Sequence, residues 1–309
     1  MIKQYVFPPK NWAEVSRGMI VSKEEKLKAL LQEKRWYFYD TCALMHHARP
    51  GCSEAMIRYI KKHQGVVILL QTIVMELNSI EQDNIILQGH REYIRKIIDN
   101  DIPVIFMPEE DCCGILPAVM KINRGERNER FTYAIRQLRG GNSGIGKALD
   151  ALSDADKKQI LNGKPVLEEL GDNAIKKIRA KKQEKDSMGE EMIFYCMIML
   201  ASLLHPMVVL SDDKSAFDRF CRTETYIKEH YQRKEIQYYS SVHLCHMMYQ
   251  QGILSENEVE NFLKAAYGEG MRVSFRGITA RDVDTEEKVE SIEDIAKLIC
   301  EDKELRILI

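Results

Sequence analysis

The sequence contains no C-x-x-C pair, so it offers neither a zinc ribbon nor a dithiol redox motif. Its 8 cysteines stand at 42, 52, 112, 113, 196, 221, 245 and 300. Only 112 and 113 are close, and adjacent cysteines seldom pair. Thiols without a framework suit a reducing cytoplasm, the expected location. Charge of one sign is also missing: Lys+Arg 45 against Asp+Glu 47 gives −2, so any nucleic-acid surface must be local. No basic segment followed by an apolar run opens the chain, so no secretory signal is expected. One run of 20 residues, 192–211, lacks acidic and basic side chains, but His205-Pro206 splits it. It reads as a buried helix followed by a buried strand, not a membrane span. Internal repeats and low-complexity tracts are absent. What is present is 45% apolar and 30% charged residue over 309 positions, enough for a large core and too polar for a polytopic membrane protein.

Short apolar runs mark strands at 36–39 (WYFY), 66–70 (VVILL), 103–107 (PVIFM) and 207–210 (MVVL), with a fifth at 236–240 (IQYYS). Helical patterns alternate with them, starting at Ser53 (an N-cap candidate), Asn84, Gly189 and Val242. Strand–helix alternation predicts an α/β fold with a central, largely parallel sheet. The region 108–185 breaks the alternation. It lacks a clear strand, and 121–185 carries 16 Lys/Arg against 9 Asp/Glu, a balance of +7. It reads as a mostly helical basic insertion. The region 250–309 has 8 Lys/Arg against 14 Asp/Glu, a balance of −6. There, a capped helix near Ser255, a short strand MRVSFRGIT and a last helix SIEDIAKLICED are expected.

In an open parallel sheet, chemistry collects at the carboxyl ends of the strands. Asp40 directly follows WYFY; Asp212 and Asp213 follow MVVLS. Glu76 lies beyond VVILL, expected in the first turns of a helix. Glu190 and Glu191 open the apolar helix, with Asp186 one turn earlier. Acids at a helix start also complement its dipole, which alone would explain Glu190 and Glu191. Four acidic positions converging across successive units repel one another unless cations neutralise them, and all-oxygen donors suit Mg²⁺ or Mn²⁺.

Four segments in this order, YDTCALMHHA, QTIVMELNSI, MGEEMIFYCMIMLAS and VVLSDDKSAFDRF, resemble the PIN domain. IQYYSSVHLCHMMYQQGILSENEVENFLKAAY resembles its closing strand and helices. The resemblance implies a Rossmann-like α/β/α sandwich made of 1–107 and 186–267, interrupted by the insertion 108–185 and followed by a small acidic extension, 268–309. It further implies a Mg²⁺- or Mn²⁺-dependent nuclease, acting on RNA more than on DNA and leaving a 5′-phosphate and a 3′-hydroxyl. By the same resemblance Asp40, Glu76, Glu190 and Asp212 are metal ligands and catalytic residues. Thr41 would orient a water or a phosphate, Asp213 would support Asp212, and Asp186 would compete with Glu190. The chain is about twice the size of a minimal PIN toxin; an inhibitor protein would be a partner if it is one, and a homo-oligomer is the other expectation. A catalytically silent PIN-fold scaffold binding RNA or a protein is the alternative.

Arg124, Arg127, Arg130, Arg136 and Arg139 recur at roughly helical spacing with Phe131 and Tyr133 among them. Lys176, Lys177, Arg179, Lys181, Lys182 and Lys185 form a second run. Given the nuclease-like core, Arg124, Arg127, Arg130, Arg136, Arg139, Lys181 and Lys182 are expected to contact nucleic-acid phosphates, a solvated helix face being the alternative. Gly141-Asn-Ser-Gly-Ile-Gly146-Lys147 matches a phosphate-binding loop, but Ala148 follows where Ser or Thr would hold Mg²⁺, so a connection between helices is expected. His46 and His47 are expected at exposed helix positions, and His243, Cys245 and His246 as helix residues without zinc spacing. Met192, Met197 and Met199 read as core.

Overall fold

All five apolar runs become strands of one sheet. The computed structural model describes residues 5–32, 34–79, 83–114, 121–140, 143–161, 168–203, 205–231, 235–278, 286–302 and 304–308. In chain order its strands are β1 (Arg35–Tyr39), β2 (Gly65–Leu70), β3 (Asn78–Ser79), β4 (Ile85–Ile86), β5 (Val104–Met107), β6 (Met207–Leu210), β7 (Ile236–Tyr239), β8 (Arg272–Ile278), β9 (Glu286–Ser291) and β10 (Arg306–Ile307). The central sheet has the order β5-β2-β1-β6-β7 and every pairing in it is parallel. Helices flank it, giving a Rossmann-like α/β sandwich. The chain builds outward from β1 to β2 and β5, then returns to lay β6 on the other side of β1. Strand order therefore reverses between β1 and β6, and the crevice at their carboxyl ends is where such sheets place ligands.

β1 is the middle strand, and Trp36, Tyr37, Phe38 and Tyr39 are all 0% exposed. Burial on both faces is why the strand reads as an unbroken apolar run. Each such side chain contributes about 1.5–3 kcal/mol of transfer free energy. The β5 edge is shielded by the N-terminal segment: Ile20 bridges Ile105, its N–H donating to Val104 O at 2.8 Å.

Some boundaries differ from expectation. The helix expected from Asn84 starts at Gln88, because Ile85–Ile86 pairs with β3 in a two-stranded antiparallel ribbon. Ser53 is the first helical residue of Ser53–Lys62, not its cap. The helix carrying Glu76 follows β2 without a loop, as Gln71–Leu77, which puts Glu76 in its last turn. The run 192–211 divides as expected into the helix Met188–Met199 and β6. Among the described residues no helix is long and apolar enough to cross a membrane.

The basic region supplies the helices Arg124–Leu138, Gly144–Asp150, Asp154–Leu161 and Glu168–Arg179. The acidic end forms the helix Glu256–Tyr267, started by a capping box between Ser255 and Glu258, then an antiparallel sheet of order β10-β8-β9 with the helix Ile292–Glu301. β9 is rich in Glu and carries no strand signal; its pairing along β8 makes it a strand.

Candidate active site

Asp40 directly follows β1 and caps the helix Thr41–His47. The carboxylate is 2% exposed. Its Oδ1 accepts from Thr41 N at 2.7 Å, and its Oδ2 from the Cys42 thiol at 2.7 Å and the Ser211 hydroxyl at 2.8 Å. Glu76 approaches from the next unit. Its Oε2 accepts from the Thr41 hydroxyl, and its Oε1 lies 2.8 Å from Lys182 Nζ. Gly189 makes room for it: a Cβ there would stand 2.6 Å from Glu76 Oε2. Glu190 follows in the first turn of Met188–Met199, and its Oε2 is enclosed with no hydrogen-bond partner.

These three carboxylates share one electrostatic environment. Burial, and then the charge of Glu76, raise the Asp40 carboxyl to about 6. Burial, then Asp40 and Glu76, with Asp213 adding to them, push Glu190 up to about 10. Both shifts are of the kind a cation would relieve.

Asp212 adjoins them through Cys42, whose sulfur accepts from Asp212 N at 3.3 Å, but its carboxylate is engaged by other elements. Its Oδ2 meets His46 Nδ1 at 2.7 Å and accepts from the Ser241 hydroxyl at 2.7 Å. Its Oδ1 accepts from Ser241 N at 2.7 Å and from the Tyr267 hydroxyl at 2.9 Å. Burial works to raise this carboxyl, but His46, His47 and Ser241 outweigh it and hold it down at about 2. Asp212 thus ties β6 to the helices carrying His46, Ser241 and Tyr267, while it is Asp213 whose charge reaches Glu190. Asp213 also starts the next helix, its Oδ1 accepting from Ser215 N at 2.7 Å. Asp186 is already paired within its own segment. Its Oδ1 takes the Lys182 ammonium and its Oδ2 accepts from Gln183 N at 2.6 Å.

The basic residues separate into two groups. Arg124, Arg136, Arg139 and Lys181 are exposed; Arg127, Arg130 and Lys182 are buried, which corrects their expected place on a nucleic-acid surface. Arg130 donates to Met199 O at 3.1 Å, pairs with Glu126 and stacks 4.4 Å over the Tyr231 ring. Arg127 donates to Cys113 O at 3.3 Å. A charge is retained inside only when its partners are built in, and helical spacing alone does not distinguish an inward Arg from an outward one. Arg179, in the second run, is likewise buried against Glu109 and Glu110.

The histidines also depart from expectation. His47 is 0% exposed, between Tyr39 and Ser241 at 3.2 and 3.1 Å. Burial lowers its imidazole to about 4, so it is neutral at pH 7. His46 is partly buried on Asp212. Of the phosphate-loop motif, Gly141 and Asn142 lie outside the described residues. Its remainder already holds an anion from the chain itself: Gly144 N and Ile145 N donate to the Glu191 carboxylate at 3.2 and 2.7 Å. Gly144 permits this, since a Cβ there would stand 2.8 Å from Met188 N.

One contribution had no signal in the sequence. The acidic extension returns to the crevice, where a pocket of about 200 Å³ is lined by Asp213, Lys214, Tyr238, Tyr267, Arg272 and Ser274, among others. Lys214 fastens it, with Glu287 at 2.9 Å.

The donors suit a hard cation in type and charge: they are carboxylates, mutually repelling, with Glu190 Oε2 lacking a partner. Among the described residues no three His, Cys, Asp or Glu side chains are grouped so as to hold a metal ion. Thr41, Cys42, Ser211 and Lys182 hold the carboxylates instead. No family model, curated protein or solved structure matches the chain.

Proposed function

We propose that the protein is a metal-dependent phosphodiesterase with a PIN-like core, acting on RNA in preference to DNA. The observation that carries this reading is the meeting of Asp40, Glu76 and Glu190 beside the strand-order reversal, with Glu190 Oε2 buried and unpartnered. The four resembling segments support it. Asp40, Glu76 and Glu190 would hold a Mg²⁺ or Mn²⁺ ion, with Asp213 at the margin and Asp212 positioning β6. Bound there, the ion supplies a water of lowered pKa and positive charge for the phosphoryl oxygens.

The protein's own part is preorganisation. Thr41 N, Cys42 and Ser211 fix both oxygens of Asp40, and Thr41 spans from Asp40 to Glu76. Glu190 carries its own proton at neutral pH in the absence of a cation, and must release it for the carboxylate to act as a ligand. Arg124, Arg139 and Lys181, exposed on the basic region, would contact phosphates of a bound strand.

Labelled single-stranded RNA incubated with Mn²⁺, Mg²⁺ or EDTA, with wild type beside Asp40→Asn, tests the proposal. Cleavage by wild type alone, and only with metal, is expected. Equal cleavage by a rigorously purified Asp40→Asn protein would refute it. A silent RNA-binding scaffold is the second reading, and Lys182 favours it: its ammonium already sits on Glu76. That reading expects RNA binding without turnover.

A further inference from the structure

Lys182 is itself a cation inside the candidate site. Its side chain is 2% exposed. A buried ammonium needs compensating charge, and Lys182 has two carboxylates: Glu76 Oε1 at 2.8 Å and Asp186 Oδ1. The Tyr5 ring covers it, with its centroid 5.0 Å from Nζ. The other oxygens are also answered, Glu76 Oε2 by the Thr41 hydroxyl and Asp186 Oδ2 by Gln183 N.

The Asp40–Glu190 half differs. Asp40 receives only uncharged donors, Thr41 N, Cys42 and Ser211. Glu190 Oε2 receives none. Among the described residues neither of these two carboxyls has a cation partner. One divalent ion, displacing the Glu190 proton, would neutralise both. A second ion on the Glu76 side would have to displace Lys182 and leave a buried ammonium with Asp186 alone.

Resting on the metal-dependent reading above, we infer that Lys182 is a resident counter-ion standing where a second metal would bind, so that the site takes one divalent ion, on the Asp40–Glu190 side. Glu76 would then divide its charge between Lys182 and the ion.

The test is Mn²⁺ binding to the full chain, with no RNA present, by calorimetry and electron paramagnetic resonance. Wild type should take one Mn²⁺ and show an isolated, uncoupled signal. Lys182→Met should take a second Mn²⁺, within about tenfold of the first in affinity, and show a spin-coupled pair. Lys182→Gln, which keeps a hydrogen bond available to Asp186, replaces the Met variant if that does not fold, and Lys182→Arg should keep the single ion. Two coupled ions in wild type would overturn the inference and leave the metal-dependent reading standing. A single ion of unchanged affinity in both neutral variants would overturn it as well. No bound Mn²⁺ in wild type would remove the metal-dependent reading and the inference with it.

Discussion

Replacing Glu190 by Gln should make the metal-free protein more stable, although it removes a candidate catalytic group. Glu190 has a folded-state value of about 10 against an ordinary 4.5, raised by burial and by Asp40 and Glu76. The folded protein therefore keeps a proton that the unfolded chain gives up. Raised acids stabilise at low pH: the contribution is complete below 4.5 and is lost as pH rises toward 10. The loss is about 1.4 kcal/mol per pH unit, or about 3 kcal/mol at pH 7. Gln is close in shape to the protonated acid and has no proton to lose. Urea unfolding in EDTA from pH 5 to pH 8 should give nearly equal midpoints at pH 5 and a widening advantage for Glu190→Gln above it, with unchanged m. Saturating Mn²⁺ should stabilise wild type and not the variant. Parallel midpoints across the whole range would show that Glu190 ionises without cost, and the electrostatic argument for a cation would fall with it.

Asp212→Asn should destabilise the fold by about 2 kcal/mol at pH 7, since a carboxyl held at about 2 against an ordinary 3.8 stabilises above 3.8 and loses that contribution as pH falls through 2; the deficit in denaturant midpoint against wild type should be largest at pH 7 and shrink to about a third of that at pH 2.5. Glu191→Ala strands the Gly144 and Ile145 N–H groups and should cost about 2–3 kcal/mol, with faster protease cleavage near residue 144 than in wild type. Arg130→Ala should cost about 3 kcal/mol by losing its contacts to Met199 O, Glu126 and the Tyr231 ring. Arg139→Ala should change stability by less than about 0.5 kcal/mol while weakening RNA retention on a filter, because its side chain is exposed.

The strands were legible because a strand covered on both faces must be apolar throughout, and 36–39, 66–70 and 207–210 are. Asp40 was legible for the opposite reason: an acid directly after such a run can only stand at its end. Asp212 and Asp213 show the limit. Both follow β6, and only contacts with Ser241 and Tyr267, distant in sequence, show that the first has its carboxylate already engaged. Arg130 and Lys182 misled because charge normally signals solvent, whereas their partners Met199 and Glu76 come from other elements. The Gly-rich loop reads in the sequence only as a connection between helices; that its backbone seats a carboxylate depends on Glu191, 46 residues beyond Ile145, which nothing local announces.

The reversal of strand order also sets a schedule for synthesis. β1, β2 and β5 are complete once the ribosome has passed Met107, whereas the other neighbour of β1 begins at Met207. Until then one side of β1 has no partner, and Asp40 lacks the Ser211 hydroxyl. Long-range parallel pairing forms slowly because a large loop must close first. The crevice is therefore among the last parts of the molecule to form, and a nascent chain halted within the basic region carries Asp40 and Glu76 without Glu190. Such a fragment presents an open β1 edge, a surface for chaperones to cover, and an incomplete acidic centre, so synthesis itself delays the appearance of the finished site.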